Sequence, residues 1–221
     1  MAATWVDRYK VGRYRVFRWR YELSLAQKFG LALGMACVTG LMAQLRIPLP
    51  WTPVPITGQV LAVLLAGVLL GRRWGGISQA LYAGLGAAGI PWFAGWSGGY
   101  AILAGPTGGY IIGFILAALF LGHFSDKYIR ARDFLPMLGL MLFANFFLIH
   151  GLGLLHLGLW LQLVEGKAFT LWQLIWMGTI PFIGGDVTKA IIAAVIAKGI
   201  TPKQAFNGEV DAGKVKGWRI P

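Results

Sequence analysis

The chain has 221 residues, of which 57% are apolar and 13% are charged, and its mean hydropathy is +0.65. Soluble domains carry about twice this share of charge, so the composition argues against a cytosolic enzyme, a secreted disulfide scaffold and a disordered regulator. The net charge of +12 does not indicate nucleic-acid binding, because the basic residues form short clusters between long apolar runs. This pattern is typical of a polytopic membrane protein.

Residues 1–22 form a polar segment in which basic and aromatic residues are interleaved. The basic residues are Arg8, Lys10, Arg13, Arg15, Arg18 and Arg20. Such a mixture fits the headgroup region of a membrane, and Tyr14, Phe17 and Tyr21 have helical spacing. An amphipathic helix and a solvated basic tail both agree with this composition. The segment is predicted to be a retained cytoplasmic tail, because the apolar run after it is a full span rather than the short core of a signal peptide.

Six apolar segments predict six transmembrane helices and make residues 23–200 an all-α membrane domain. The segments are 23–45, 57–71, 75–90, 106–125, a stretch within 134–163 and a stretch within 171–198. The second and third are short for a hydrocarbon core of about 30 Å. Gly151 and Gly153 are candidate breaks in the fifth segment. The sixth is interrupted between Pro181 and Gly185, so its last helix is predicted to begin near Asp186.

The distribution of Lys and Arg predicts the orientation. Sixteen of the 20 lie in the two termini and in the second and fourth connecting loops, whereas Arg46 and Lys167 lie in loops on the opposite side. By the positive-inside rule, both termini face the cytoplasm, the number of spans is even, and the chain is a multi-pass protein of the cytoplasmic (inner) membrane. Residues 201–221 are polar and glycine-rich, and are predicted to form a loosely held cytoplasmic tail.

Two loops on the predicted outer side are poor in charge and rich in Pro, Gly and aromatic residues. The first, 47–57, contains Trp51 among several prolines that exclude a helix. The second, 91–110, contains Trp96 and Tyr100 among glycines. These aromatic side chains indicate either loops folded over the helix ends as a partly apolar cup or an aromatic belt at the membrane interface. The density of Gly and Pro favours the cup.

Asp186 and Lys189 are the one close pair of opposite charges within an otherwise apolar stretch of sequence, and their spacing places them on one helix face. Charged residues inside a membrane are costly and are usually paired or functional. The pair predicts a binding site for a ligand that combines a neutral polar ring with an anionic tail. The alternative is structural, with Asp186 as a helix N-cap that forms a salt bridge with Lys189.

Small residues along the first membrane helix include Ala32 and Ala36. A stripe of small residues allows another helix to approach closely in lipid. The stripe is predicted either to pack inside this protein or to contact the helix of an external partner.

Several ordered motifs of the chain are similar to those of the BioY family. They are VPITGQ at 54–59, LAVLLAGVLLG at 61–71, GIPWFAG at 89–95, GPTGGY at 105–110 and PFIGGDVTK at 181–189. The resemblance covers about residues 24–200 and leaves both polar ends outside it. It implies a biotin-binding S component of an energy-coupling factor (ECF) transporter, with six membrane helices, cytoplasmic termini and an external cavity capped by loops.

The resemblance also implies roles for individual residues. Asp186, Lys189 and the glycine-rich loop at Gly98, Gly99 and Tyr100 are expected to bind biotin. The loop aromatics Trp51 and Trp96 are added to this set because they would line the cup. Ala32 and Ala36 are expected to contact the transmembrane coupling protein, which acts with two ABC-type ATPases in biotin uptake.

No catalytic residue, cofactor or metal site is predicted. Cys37 is the single cysteine, and the histidines and Asn145 are interpreted as hydrogen-bonded packing residues. The alternative function is an intramembrane enzyme or membrane-assembly subunit acting on another small polar ligand. An enzyme would need several convergent titratable groups, and the sequence reveals one pair. His156 stands where the family more often has Tyr, which leaves a relative of biotin open as the ligand.

Overall fold

In the computed structural model, which describes residues 5–215, the chain is mostly helical. The α-helices are α1 (Trp5–Glu22), α2 (Leu25–Gln44), α3 (Gln59–Ala87), α4 (Tyr100–Ala104), α5 (Gly108–Lys127), α6 (Phe134–Phe143), α7 (His150–Leu163), α8 (Leu171–Gly178) and α9 (Ile183–Ile200). Strands β1 (Arg46–Ile47) and β2 (Ile56–Thr57) pair antiparallel, with Arg46 opposite Thr57. The sequence-based predictions that involve residues 1–4, Lys216 and Arg219 lie outside the described residues.

Five helical stretches among residues 5–215 are long and apolar enough to cross a membrane. They are Leu25–Gln44, Gln59–Ala87, Gly108–Lys127, Phe134–Leu163 and Leu171–Ile200. The predicted class, a helical protein with several candidate membrane spans, is therefore confirmed. The number of long apolar helices among residues 5–215 is five, whereas the sequence predicted six. The difference arises in α3, which joins the predicted segments 57–71 and 75–90.

Helix α3 is folded back on itself at Gly71, whose φ of 78° interrupts the helical backbone. The Gln59 Nε2 donates a hydrogen bond of 2.7 Å to the Tyr82 hydroxyl. Residues 23 positions apart would be separated by about 34 Å in a straight helix. The two halves of α3 therefore lie antiparallel. Glycine permits this close packing, since a Cβ at Gly75 would lie only 2.8 Å from the Ala66 carbonyl oxygen.

Charged side chains hold the turn of α3. The Asp126 Oδ2 accepts a hydrogen bond of 2.9 Å from the backbone N–H of Arg72, just after the break. The Arg20 guanidinium, from α1, pairs with Asp126 at 2.5 Å and donates to the carbonyls of Val68 and Leu69. Carbonyls at a helix end lack partners within the helix, so Arg20 satisfies them from outside. The N-terminal segment is thus a helix that packs across this end of the bundle, with Phe17 buried.

The fifth apolar segment is one uninterrupted helical run from Phe134 to Leu163. The predicted break at Gly151 and Gly153 is wrong, because both glycines lie within α7. The irregularity lies earlier, where residues Ala144–Ile149 form a π-helix. Glycine lowers helix propensity by only about 1 kcal/mol, and tertiary packing readily offsets this cost.

The sixth apolar segment is bent between α8 and α9, where Ile180–Phe182 form a short 3₁₀ turn. Pro181 has no N–H, and a regular helix therefore cannot continue through it. Helix α9 begins at Ile183, slightly before the predicted start near Asp186. Asp186 consequently lies inside the first turn of α9, and the N-cap residue is Phe182.

Residues 201–215 are packed against the helices, so the prediction of a loosely held tail is wrong for this part of the chain. Arg132 and Glu209 form a salt bridge of 2.6 Å with both side chains fully buried. Arg132 also donates to the carbonyls of Ser125, Pro202 and Gln204. A second carboxylate, Asp211, accepts hydrogen bonds from the backbone N–H groups of Ile129 and Arg130.

Ala32 and Ala36 are completely buried inside this chain, and Ala36 belongs to the hydrophobic core. The prediction that they face an external partner is therefore not met by this structure, which matches the alternative of internal packing. The exposed side of α2 carries Gly30 and Gly34 instead, and neither would bring a Cβ within 4 Å of another part of the chain. Alanine packs equally well inside its own chain and against a partner helix. The small residues alone therefore do not determine which of the two the stripe contacts.

Candidate binding cavity

A cavity of about 300 Å³ lies between the helices and two loops. Its helical wall comes from α3, α5, α7 and α9, and its other wall from residues 53–57 and 93–107. The polar and charged side chains that line it are Arg46, Thr57, Gln59, Tyr82, Ser97, Thr107, Tyr110, His150, Asp186 and Lys189. The remaining wall is largely apolar, which is typical of a site for a small organic ligand.

Asp186 is the centre of the polar network in this cavity and is almost completely buried. Its Oδ1 pairs with the Lys189 Nζ at 2.5 Å. Its Oδ2 lies 2.8 Å from the His150 Nε2 and accepts a hydrogen bond of 3.0 Å from the Asn145 Nδ2. A buried carboxylate needs such partners because an uncompensated charge is costly in this environment. The structure therefore brings together the predicted pair and adds two residues from another helix.

The π-helix at Ala144–Ile149 explains how Asn145 and His150 reach the same carboxylate oxygen. The backbone N–H of His150 donates to the Asn145 carbonyl, which is the five-residue spacing of a π-helix. In an α-helix, residues five apart are rotated by about 140° and point in different directions. The wider turn places both side chains on one side. π-Helical turns of this kind occur frequently at functional sites.

The bend before α9 supplies acceptors that the cavity residues use. Because of the bend, the carbonyls of Met177 and Gly178 accept hydrogen bonds from side chains on other parts of the chain. The Thr52 hydroxyl donates to the Met177 carbonyl at 2.8 Å. The Tyr110 hydroxyl donates to the Gly178 carbonyl at 2.7 Å, and the His150 Nδ1 lies 3.0 Å from the same oxygen. These contacts fix the orientation of His150 in the wall.

Lys189 connects the helical wall to the first loop. Its Nζ donates a hydrogen bond of 2.8 Å to the Thr57 carbonyl, in addition to its contact with Asp186. Thr57 pairs with Arg46 across the two short strands. Two cations, Lys189 and Arg46, therefore both neighbour Thr57 and line the same cavity. No carboxylate of residues 5–215 forms a salt bridge with Arg46, so its charge is available to an anionic ligand.

The second loop is fastened by Gln44, at the end of α2. The Gln44 Nε2 donates to the carbonyls of Trp92 and Phe93, and its Oε1 accepts from the N–H groups of Gly95 and Trp96. One amide thus satisfies four backbone groups of the loop. Gly95 has φ 80°, and a Cβ there would lie within 2.6 Å of the Arg46 guanidinium. Glycine at this position lets Arg46 pack directly on the loop.

Five of the predicted substrate-binding residues do not line the cavity. Tyr100 and Trp96 are 73% and 65% exposed, and their neighbours Ser97, Ala101 and Ile102 contribute to the wall instead. Gly98 and Gly99 shape the loop: a Cβ at Gly98 would lie 2.6 Å from the Ile90 carbonyl oxygen, and Gly99 has φ 100°. Trp51 lines a separate, more open cavity of about 900 Å³ with Trp160, Trp172 and Trp176.

Sequence reasoning missed His150, Asn145, Arg46 and Gln44 as site residues. His150 and Asn145 were interpreted as packing residues, and the periodicity of an apolar helix gives no sign of a π-helical turn. By charge distribution alone, Arg46 indicates only the orientation of the chain in the membrane. A useful indication was available, since Arg46 is an isolated cation beside a proline-rich loop on the side that is poor in basic residues.

The arrangement suits the binding of a small polar ligand. Asp186 offers a fixed acceptor, Lys189 and Arg46 offer positive charge, and the other walls are apolar. Among residues 5–215, no group of three His, Cys, Asp or Glu side chains could hold a metal ion. A ligand with polar N–H groups at one end and a carboxylate at the other matches these features.

Comparisons with known proteins agree with this description. The model of the BioY family matches residues 16–205. A probable biotin transporter BioY from Methanothermobacter thermautotrophicus is 55% identical over 157 residues, which cover 71% of this chain and all of the relative. The biotin transporter BioY of Thermotoga maritima is 37% identical, over 68% of this chain and 83% of its own length. The crystal structure of an S-component for biotin from an ECF-type ABC transporter has a TM-score of 0.69 at 26% identity, and the match covers 80% of this chain and 93% of that one.

Proposed function

Since the chain belongs to the BioY family, we propose that it binds biotin and serves as the substrate-specific subunit of an ECF-type transporter for biotin uptake. The observation that carries this proposal is the cavity of about 300 Å³, in which Asp186 and Lys189 meet beneath two loops. Biotin combines a ureido ring with two N–H donors, an apolar thioether ring and a carboxylate on an aliphatic chain. Each part has a chemical counterpart in the cavity.

Asp186 accepts a hydrogen bond from a ureido N–H, and Lys189 donates to the ureido carbonyl or attracts the carboxylate. The thioether ring packs on the aromatic and aliphatic wall, which includes Phe93, Phe114 and Phe182. Arg46 pairs with the carboxylate at the loop side of the cavity. The loop that covers the ligand includes the predicted residues Trp96, Gly98, Gly99 and Tyr100. Trp51 lines the separate, more open cavity of about 900 Å³ rather than the binding site.

Equilibrium binding of labelled biotin to the purified protein tests this function. We expect saturable binding that unlabelled biotin displaces, and we expect the released ligand to be chemically unchanged. A chemically altered product would favour the alternative of an intramembrane enzyme. The absence of saturable binding to the folded protein would refute the proposed function.

The topology proposal is six membrane crossings with both termini in the cytoplasm. The antiparallel halves of α3 provide two short crossings, and the other four long helices provide one each. Six crossings agree with the excess of basic residues at both termini. Helix α1 carries exposed Arg8, Arg15 and Arg18 beside exposed Trp5 and Trp19, which suits anionic lipid headgroups at the cytoplasmic surface.

Cysteine labelling in intact cells tests the orientation. In a Cys37→Ala background, we expect Lys167→Cys to react with a membrane-impermeant thiol reagent and Arg130→Cys to react only after the cells are opened. Both positions are exposed, so burial does not explain a difference between them. Labelling of Arg130→Cys alone in intact cells would reverse the proposed orientation.

The proposed partners are a transmembrane coupling protein and two ABC-type ATPases, because an S component lacks an ATPase of its own. The coupling surface we favour is the exposed face of α2 at Gly30 and Gly34, since Ala32 and Ala36 are buried. Glycines on an exposed helix face allow close approach of another helix in lipid.

Substitutions along α2 distinguish the two faces. Gly34→Leu adds bulk where nothing lies within 4 Å, so the protein should fold and bind biotin but lose most of its co-purification with the coupling protein. Ala36→Leu is the matched control, because overpacking a buried site costs roughly 1–3 kcal/mol and should lower the melting temperature of the isolated subunit. Normal co-purification of Gly34→Leu would exclude this face as the coupling surface.

A further inference from the structure

Helix α1 is held close to the start of the first candidate membrane span. Only Leu23 and Ser24 separate its end at Glu22 from that span, which begins at Leu25, and the Ser24 side chain caps the span. A linker of this length keeps the end of α1 within about 11 Å of the start of the span. Helix α1 therefore lies where the lipid headgroups meet the protein.

The inner face of α1 is fastened across the ends of two other membrane helices. The Arg13 guanidinium donates hydrogen bonds to the carbonyls of Lys198 and Thr201 at the end of α9. Arg20 donates to carbonyls at the turn of α3 and pairs with Asp126 of α5. These anchors are separated by about 10 Å along α1. Because the ends of membrane spans lie at a membrane surface, a helix fastened to two of them runs along that surface.

The outer face of α1 is divided into an apolar edge and a basic edge. The residues of the apolar edge, all more than half exposed, are Trp5, Val16 and Trp19. The residues of the basic edge, also exposed, are Arg8, Arg15 and Arg18. Each residue of an α-helix turns by about 100°, so each trio lies within about 80° around the helix axis. The two edges are adjacent, since Arg8 and Trp19 differ by only about 20°.

The charge of the basic edge is not neutralised by the part of the chain that the structure describes. Arg8 and Arg15 form no salt bridge with a carboxylate of residues 5–215. Arg18 pairs with Glu22 at 2.9 Å, but this pair is exposed and therefore weak. An exposed apolar edge beside unneutralised arginines suits a lipid surface, where indole rings enter the acyl boundary and guanidinium groups pair with phosphates.

We infer that α1 binds anionic phospholipid, with its apolar edge inserted at the acyl boundary and its basic edge paired with headgroup phosphates. Lipid is favoured over a protein partner because the linker and the inner face both hold α1 at the membrane surface. The model of the BioY family begins at residue 16, so it does not account for Trp5, Arg8 or Arg15. No residue of either edge lines the ligand cavity, and the inference does not depend on biotin binding.

Lipid retention by the purified full-length protein tests the basic edge. Phosphatidylglycerol and phosphatidylcholine are supplied in equal amounts in detergent micelles, and native mass spectrometry counts the lipids that stay bound. We expect roughly a tenfold preference for phosphatidylglycerol, falling to about twofold in Arg8→Gln/Arg15→Gln/Arg18→Gln. The three side chains are exposed, so the melting temperature of this variant in detergent should match that of the wild-type protein. Equal lipid preference in the two proteins would overturn the inference.

A second triple variant is the matched control for loss of charge. Lys127→Gln/Arg130→Gln/Lys214→Gln also removes three exposed cations, but none of them belongs to α1. It should keep most of the preference for phosphatidylglycerol. An equal loss of preference in both triple variants would indicate unspecific attraction by net charge and would also overturn the inference.

Spin labels in nanodiscs that contain phosphatidylglycerol test the apolar edge. In a Cys37→Ala background, a label at Val16→Cys should be relaxed mainly by oxygen, which concentrates in lipid, and a label at Glu22→Cys by a water-soluble nickel complex. Both positions are exposed and lie about 120° apart around α1. Equal access of the nickel complex to both labels would overturn the insertion. A Val16→Cys label that loses contact with water only when the coupling protein is added would assign this face to a protein partner instead.

Discussion

Replacing Asp186 with Asn is expected to weaken biotin binding by ten- to a hundredfold, which corresponds to the roughly 1.5–3 kcal/mol of a lost charge-assisted hydrogen bond. Asn keeps the size and one acceptor oxygen but removes the charge that Lys189, His150 and Asn145 surround. Lys189→Met keeps the aliphatic stem, removes the donor to Thr57 and Asp186, and should weaken binding by a similar factor. Equilibrium binding of labelled biotin measures both variants.

A stability measurement separates a binding role from a structural one. Biotin should raise the melting temperature of the wild-type protein at saturating concentration, because a ligand stabilises the state that binds it. Biotin should raise the melting temperature of Asp186→Asn or Lys189→Met much less than that of the wild-type protein. In the double variant Asp186→Asn/Lys189→Met, neither buried charge is left without its partner. Its melting temperature should therefore be higher than that of either single variant. Wild-type affinity in a folded Asp186→Asn or Lys189→Met protein would remove these residues from the binding site.

Breaking the buried salt bridge between Arg132 and Glu209 is expected to lower the stability of the folded protein more than any of the other proposed substitutions. Arg132→Met leaves the Glu209 carboxylate buried without its cation, a change that costs about 3–5 kcal/mol. In a chain of this size, the melting temperature should fall by roughly 10 °C. Lys167→Met is the matched control, since its salt bridge with Glu165 is exposed and is worth less than about 1 kcal/mol. Equal melting temperatures for the two variants would show that the C-terminal segment does not stabilise the bundle.

The same salt bridge predicts an acid-sensitive stability. Burial alone would raise the pKa of Glu209. Hydrogen bonds from Arg132 and from the backbone N–H of Asn207 together lower it by more than burial raises it, so the pKa lies below the ordinary glutamate value. A lowered pKa stabilises the folded state above the ordinary value, and this contribution is lost as the pH falls through the folded pKa. Thermal melting at decreasing pH should therefore show a steeper loss for the wild-type protein than for Glu209→Gln.

Hydropathy and residue spacing are sufficient to predict the membrane class and one half of the polar network. Hydropathy sums over neighbouring residues, so long apolar runs identify membrane helices whatever their tertiary contacts. Asp186 and Lys189 are three residues apart on α9, and the backbone of one helix brings them together. The family motifs, which span most of the helical region, pointed to the same ligand.

The side chains that surround this pair, and the surfaces that are covered, depend on contacts between distant parts of the chain. His150 and Asn145 are 36 and 41 residues from Asp186, and a π-helical turn that apolar periodicity does not reveal brings both to its Oδ2. The fold-back of α3 depends on a single positive φ at Gly71, so two predicted helices form one element. The direction in which Ala32 and Ala36 face was likewise open, because a small side chain packs equally well against its own chain or a partner, and the folded chain buries both completely.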